Sequence, residues 1–139
     1  MAETYGMGKH YTQRVTNVVA ALAVLAAATT YISTEGSQAL GVTEAQVERK
    51  LSQPTVLKNL RVYVSAMTVA TGTASLVVRK NGVDTTLKVD LTSGSSTGWL
   101  EDTTHSVSCA AGDTISIKLV GATVGAFSFT TLCIDEVVG

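Results

Sequence analysis

Residues 56–91 read VLKNLRVYVSAMTVATGTASLVVRKNGVDTTLKVDL, and their pattern decides the fold class. From Val56 to Ala66 the residues alternate, with Leu60, Val62 and Val64 set for one face and Asn59, Arg61 and Tyr63 for the other. A period of two is what a half-buried strand requires, because successive side chains leave a strand on opposite sides. Ala74–Lys80 forms a second run rich in β-branched valine. Asn81-Gly82 follows, the strongest short hairpin signal because both residues tolerate positive φ, and Thr85–Leu91 reads as the return strand.

The same rhythm continues downstream. Gly94-Ser95-Ser96-Thr97-Gly98 reads as a loop and Trp99-Leu100 as the start of a short strand. Thr103–Ser108, a turn at Ala110–Asp113 and Thr114–Val120 make the next pair, with Ile115, Ile117 and Leu119 alternating against Ser116, Lys118 and Val120. After Gly121–Gly125, the last strand is Ala126–Val137, predicted to carry Phe127, Phe129, Thr131 and Cys133 on one face. Short strands spaced about 8–12 residues apart, with no long helix between them, indicate an antiparallel sandwich or barrel. Composition agrees: 139 residues suit one domain, and 21 Thr and 19 Val stand against a single Pro.

Upstream the reading is less uniform. Thr43-Glu44-Ala45-Gln46 resembles a capping box, with Val47 and Leu51 four apart on a helix face, yet Ala45, Val47, Arg49 and Leu51 also alternate as a strand would. Val18–Ala28 is the most apolar run, about eleven residues and so well short of the roughly 20 that a membrane-spanning helix needs. Lys9 and Arg14 before it and Ala26-Ala27-Ala28 at its end give it the outline of a secretory signal, but a buried amino-terminal arm is the better reading. Val15, Val18, Val19, Leu22 and Leu25 fit a helical face, and the valines equally allow a strand. The chain therefore divides into an arm at 1–30 and a β-body at 31–139.

Several motifs of the body, taken in order, resemble the small jelly-roll domains (TNF-like, head-fibre type) of tailed-phage virion proteins, among them head decoration or cement proteins, head fibres and tail-fibre tips. They are Thr43-Glu44-Ala45-x-Val47, Leu57-Lys58-Asn59-Leu60-Arg61-Val62-x-Val64-Ser65-Ala66, Leu76 through Thr85, Asp102-Thr103-Thr104-His105-Ser106-Val107, and Ala110 through Lys118. The resemblance covers about residues 31–135. It implies an eight-stranded jelly roll, a strand over residues 44–51 and a homotrimer. It also implies a capsid decoration protein, assembled in the host cytoplasm, that binds the major capsid protein on the head surface. The chain departs from the pattern at Arg49–Gln53, where family members carry a Pro-rich segment, and in its Ala-rich arm. On this reading Lys9, Arg14, Val18, Val19, Leu22 and Leu25 contact the shell, and Arg61 and Tyr63 lie at the trimer surface.

The remaining residues exclude more than they suggest. Ten basic and eleven acidic residues leave a net charge of −1, which is no footprint for nucleic acid or an anionic membrane. Residues 1–88 are nevertheless net positive and residues 89–139 net negative. Cys109 and Cys133, too few for a disulfide framework, read as buried free thiols, and with His10 and His105 they form no metal-ligand spacing. No cofactor is implied. Gly94–Gly98 matches G-x-S-x-G with Asp102 and His105 behind it, but within nine residues and without a following helix, so it does not build a hydrolase triad. Glu101-Asp102 points to opposite faces of a strand and is not an acid–base pair. Trp99 has two readings: the ordinary one fills the core, and the other, with Tyr63, Tyr31 and the phenylalanines, stacks sugars in the receptor- or glycan-binding tip of a fibre.

Overall fold

A computed structural model describes residues 12–15, 22–34 and 43–138 of the chain. Its strands are β1 (Thr12–Val15), β2 (Leu22–Val24), β3 (Thr29–Ile32), β4 (Arg49–Lys50), β5 (Thr55–Met67), β6 (Ala74–Lys80), β7 (Val83–Leu91), β8 (Gly98–Cys109), β9 (Thr114–Val120) and β10 (Phe127–Val138), with one 3-10 turn at Glu44–Gln46. Two antiparallel sheets face each other. In the first, β10 pairs with β5 and β5 with β8, while β1 and β2 both lie along the free side of β10. The second runs β9, β6, β7, with β3 and β4 both along the free side of β9.

Counting each split edge once leaves eight strand positions. In chain order they run 1-8-3-6 in the first sheet and 2-7-4-5 in the second. This is the jelly-roll order of two intertwined Greek keys, and it matches the expected eight-stranded sandwich.

The core is the apolar set that alternation turns inward. Leu57, Leu60, Val62 and Val64 of β5 meet Leu76, Val78, Leu87, Leu91, Ile115, Ile117 and Leu119 of the second sheet, and Phe127, Phe129, Leu132 and Ile134 close it from β10. Phe127 and Phe129 stack with centroids 6.3 Å apart. Each such side chain contributes about 1.5–3 kcal/mol of burial. The Asn81-Gly82 hairpin is present, with φ of 51° and 75°.

Bulges rewrite the alternation in three strands. The last strand was expected to hold Phe127, Phe129, Thr131 and Cys133 on one face. Its pairing with β5 slips between Phe129 and Thr131, so Phe127 and Phe129 point inward with Leu132 and Ile134, and Thr131 and Cys133 stand half-buried on the outside. In β5, Asn59 adopts φ 54°, which lets Leu57 join Leu60, Val62 and Val64 inside. Opposite it, β8 carries extra residues between Asp102 and Ser106, so the two short strands expected at 99–100 and 103–108 are one long bulged strand.

The upstream region also differs from its expectation. Of the strand implied over 44–51, only Arg49–Lys50 is strand. Glu44–Gln46 is a 3-10 turn, because the Glu44 carboxylate reaches Arg79 of β6 and Ser116 of β9. Within the described residues of the expected arm, 12–15, 22–24 and 29–30 are edge strands of the two sheets, and the boundary placed at residue 30 falls within β3. Arg14 lies in β1 and Leu22 opens β2. Leu25, just beyond β2, is 64% exposed. Lys9, Val18 and Val19 lie outside the described residues.

Candidate functional site

Alternation along β5 turns Arg61 and Tyr63 to the outer side of the first sheet, and alternation along β8 does the same for Trp99 and Glu101. The antiparallel register then aligns them. Tyr63 sits opposite Trp99 on one side and Thr131 on the other, and Arg61 sits opposite Glu101 and Cys133. The result is a three-strand array with the aromatics in one row and the charges in the next.

Trp99 does not fill the core, where the ordinary reading of its place in the sequence puts it. It is 54% exposed, and Tyr63 is 39% exposed. The reason is register: Gly98 enters the strand at φ 104°, a conformation open to glycine, and the next residue in line faces outward while Leu100 packs against the core. The two rings meet edge to face, 5.4 Å between centroids at 77°. Such a pair occupies at most one of four ring faces.

The charged row is held in place by its neighbours. Arg61 Nη2 donates to Asp135 Oδ1 at 2.5 Å and its Nε to the Asn59 carbonyl at 3.1 Å, while Asn59 Nδ2 donates to Asp135 Oδ2 at 2.8 Å. The left-handed Asn59 aims its amide at that carboxylate. Asp135 was not singled out in the sequence, because 74 residues separate it from Arg61. Cys133 is half-buried on this face and Cys109 is buried on the inner side of β8. Both thiols are free, and burial pushes both above the usual thiol range. The sequence expectation that both are buried thus holds fully for Cys109 only.

Beside this array, where the edges of β7 and β8 run together, lies an open groove of about 340 Å3 lined by Thr86, Lys88, Val89, Asp90, Leu100, Glu101, Asp102 and His105. Asp102 is its fixed wall. It accepts from the Lys88 N–H of the other sheet at 3.2 Å, from the Thr104 and His105 N–H groups at 3.1 and 3.2 Å, and bonds His105 Nδ1 at 2.9 Å. Burial pushes the Asp102 carboxyl up, yet these donors, led by Lys88 N–H, hold it down at about 2. Asp102 thus closes the β8 bulge and ties the two sheets together. Ser96 of the G-x-S-x-G match is in the loop before β8 and is not among the groove's lining residues. Among the described residues no group of three or more His, Cys, Asp or Glu side chains is placed to hold a metal ion.

The outer face of the second sheet is different in kind. Arg79 binds Glu44 and Asp84 and lies 5.9 Å from the Tyr31 ring centroid, and Lys118 binds Asp84 at 2.7 Å. The Arg79 hydrogen bond holds Glu44 below the usual carboxylate range. Tyr31, considered in the sequence as a stacking group beside Trp99, therefore belongs to the opposite sheet.

No protein-family model matches the chain, and no curated protein matches it in sequence. Among solved structures, the native structure of a family 35 carbohydrate binding module from Clostridium thermocellum is similar, at 12% identity and a TM-score of 0.44, over 88% of this chain and 97% of that one. The jelly-roll assignment rests on the strand order given above.

Proposed function

We propose that this protein is a non-catalytic binding module that takes a glycan on the outer face of its first sheet, with Trp99 and Tyr63 as the stacking platform. One observation carries the reading: the chain's only tryptophan stands 54% exposed beside an exposed tyrosine on an open sheet face. An indole left in water on a flat face is poor use of the largest apolar side chain unless something covers it. A pyranose ring suits this surface. Its axial C–H face stacks on an aromatic ring, while its equatorial hydroxyls reach Arg61 and Glu101 in the adjacent row.

Because Trp99 is the only tryptophan, its fluorescence reports on the platform directly. Soluble polysaccharides should retard the protein in affinity electrophoresis and shift its emission, and Trp99→Ala should weaken retention about a hundredfold. No shift with any polysaccharide, or retention unchanged in Trp99→Ala, overturns the reading.

The same face supports a second reading, the homotrimeric decoration protein of a phage head that the sequence resemblance implies. In its favour, Arg61 and Tyr63 stand side by side on a face open enough to meet a second copy. Light scattering at micromolar concentration decides it. A trimer whose Trp99 emission is blue-shifted and quencher-protected supports the assembly, and a monomer removes it.

A further inference from the structure

Resting on the glycan reading, we infer that the groove between β7 and β8 is a second subsite of the same binding face, so that the ligand is an uncharged oligosaccharide of several rings. The platform and the groove share a residue. Glu101 stands two positions after Trp99, about 7 Å along the strand, in the row beside the aromatics, and it also lines the groove. Glu101 is therefore the residue at which a chain leaving the Trp99 platform along β8 meets the rim of the groove.

The groove is built to receive polar rings. Leu100 and Val89 give it an apolar floor, and its volume of about 340 Å3 falls within the range of small-ligand pockets. Lys88 and Asp90, paired at 3.3 Å and both a little under half exposed, offer a donor and an acceptor close together, the spacing that vicinal hydroxyls match. His105 is held by Asp102 through Nδ1, which leaves Nε2 as the ring atom turned away from that carboxylate. Asp102 is already occupied by its own donors and serves as structure.

Charge selects the class of sugar. Asp90, Glu101 and Asp102 stand against Lys88 alone, and counting His105 as a cation still leaves the lining net negative. Uronic and sulfated sugars would bring a like charge into this field. Neutral chains meet no such barrier.

The test titrates Trp99 emission in the full chain with neutral gluco-, xylo- and manno-oligosaccharides of one to six rings and with oligogalacturonides of equal length. In at least one neutral series affinity should climb tenfold or more between one ring and the longest chain, and oligogalacturonides should bind at least tenfold more weakly. The double variant Lys88→Ala/His105→Ala, and separately Thr86→Phe, which fills the groove from its rim, should abolish the climb with chain length and keep the single-ring response. Their melting temperatures verify that both fold. An affinity independent of length, a climb retained in folded groove variants, or equal binding of oligogalacturonides overturns the subsite while the platform stands. An emission that no sugar moves, with retention indifferent to Trp99→Ala, removes platform and subsite together.

Discussion

The two outer faces of this sandwich are made from the same kind of strand and are finished in opposite ways. On the second sheet, Arg79 is enclosed by Glu44, Asp84 and the Tyr31 ring, Lys118 joins the same cluster, and Ser116 donates to Glu44. Each charge of that cluster has a partner within it. On the first sheet, Arg61 and Asp135 are paired, but Trp99, Tyr63 and Glu101 present ring faces and a carboxylate to solvent. A face that satisfies itself has little left to offer a ligand, whereas one that keeps two aromatics in water is prepared for something to cover them. The contrast teaches where to look for function more clearly than any single motif does.

Both faces depend on the connections that hold the two sheets together. Gly125, in the connection from β9 to β10, has φ 98°, and an added Cβ would lie 2.1 Å from the Thr68 carbonyl oxygen. Gly125→Ala is expected to cost about 3 kcal/mol, combining left-handed strain with overpacking, and to lower the urea midpoint with little change in slope. Both faces should fail together in that variant.

Next comes the first face alone. Trp99→Ala should lose about a hundredfold in glycan affinity, about 2.7 kcal/mol, while stability falls by only about 1 kcal/mol, the worth of an exposed edge-to-face pair. Arg79→Met is the mirror experiment on the second face. It removes the cationic partner of Glu44, while Asp84 keeps Lys118, and should cost about 2 kcal/mol, a buried-pair penalty reduced because these groups keep some solvent, and glycan binding should not change. A binding loss in Arg79→Met, read by the same titration, would mean that the faces are not independent.

The smallest effect sharpens the boundary between the sheets. Asp102 titrates near 2 in the folded chain against an ordinary 3.8. A depressed carboxyl contributes stability that is complete above its unfolded value and is lost as pH falls through the folded one. The wild-type midpoint should therefore drop between about pH 4 and pH 2. Asp102→Asn should start lower at neutral pH and show a shallower acid limb, measured by thermal melts across that window.

Much of this was readable in the sequence because it depends on neighbours along the chain. Alternation around Leu60, Val62 and Val64, the Asn81-Gly82 turn and the Ile115, Ile117, Leu119 stripe are local, and each takes the predicted place. The outward pairing of Arg61 and Tyr63 followed from the same alternation. What alternation could not deliver was its own interruptions. The slip between Phe129 and Thr131 is set by how β10 fits β5, so Thr131 and Cys133 were placed with Phe127 and Phe129 when they belong to the other face. Trp99 was weighed as core filling for a related reason, since nothing near it in the chain states that Tyr63 is its partner. The role of Asp102 is not legible beside Glu101 in the sequence, because a bulge closed by its own side chain, and its acceptance of the Lys88 N–H, are visible only when β7 and β8 are brought together.

By itself, then, the sequence determined the class of fold and most of the inward residues, because a period of two and a positive-φ turn are properties of adjacent residues and backbone sterics. Tertiary structure alone decided which outward residues meet. Cross-strand register joins positions 36 apart, as Tyr63 and Trp99 are, side-chain bonding joins Arg61 and Asp135 across 74, and one bulge shifts every later side chain to the opposite face.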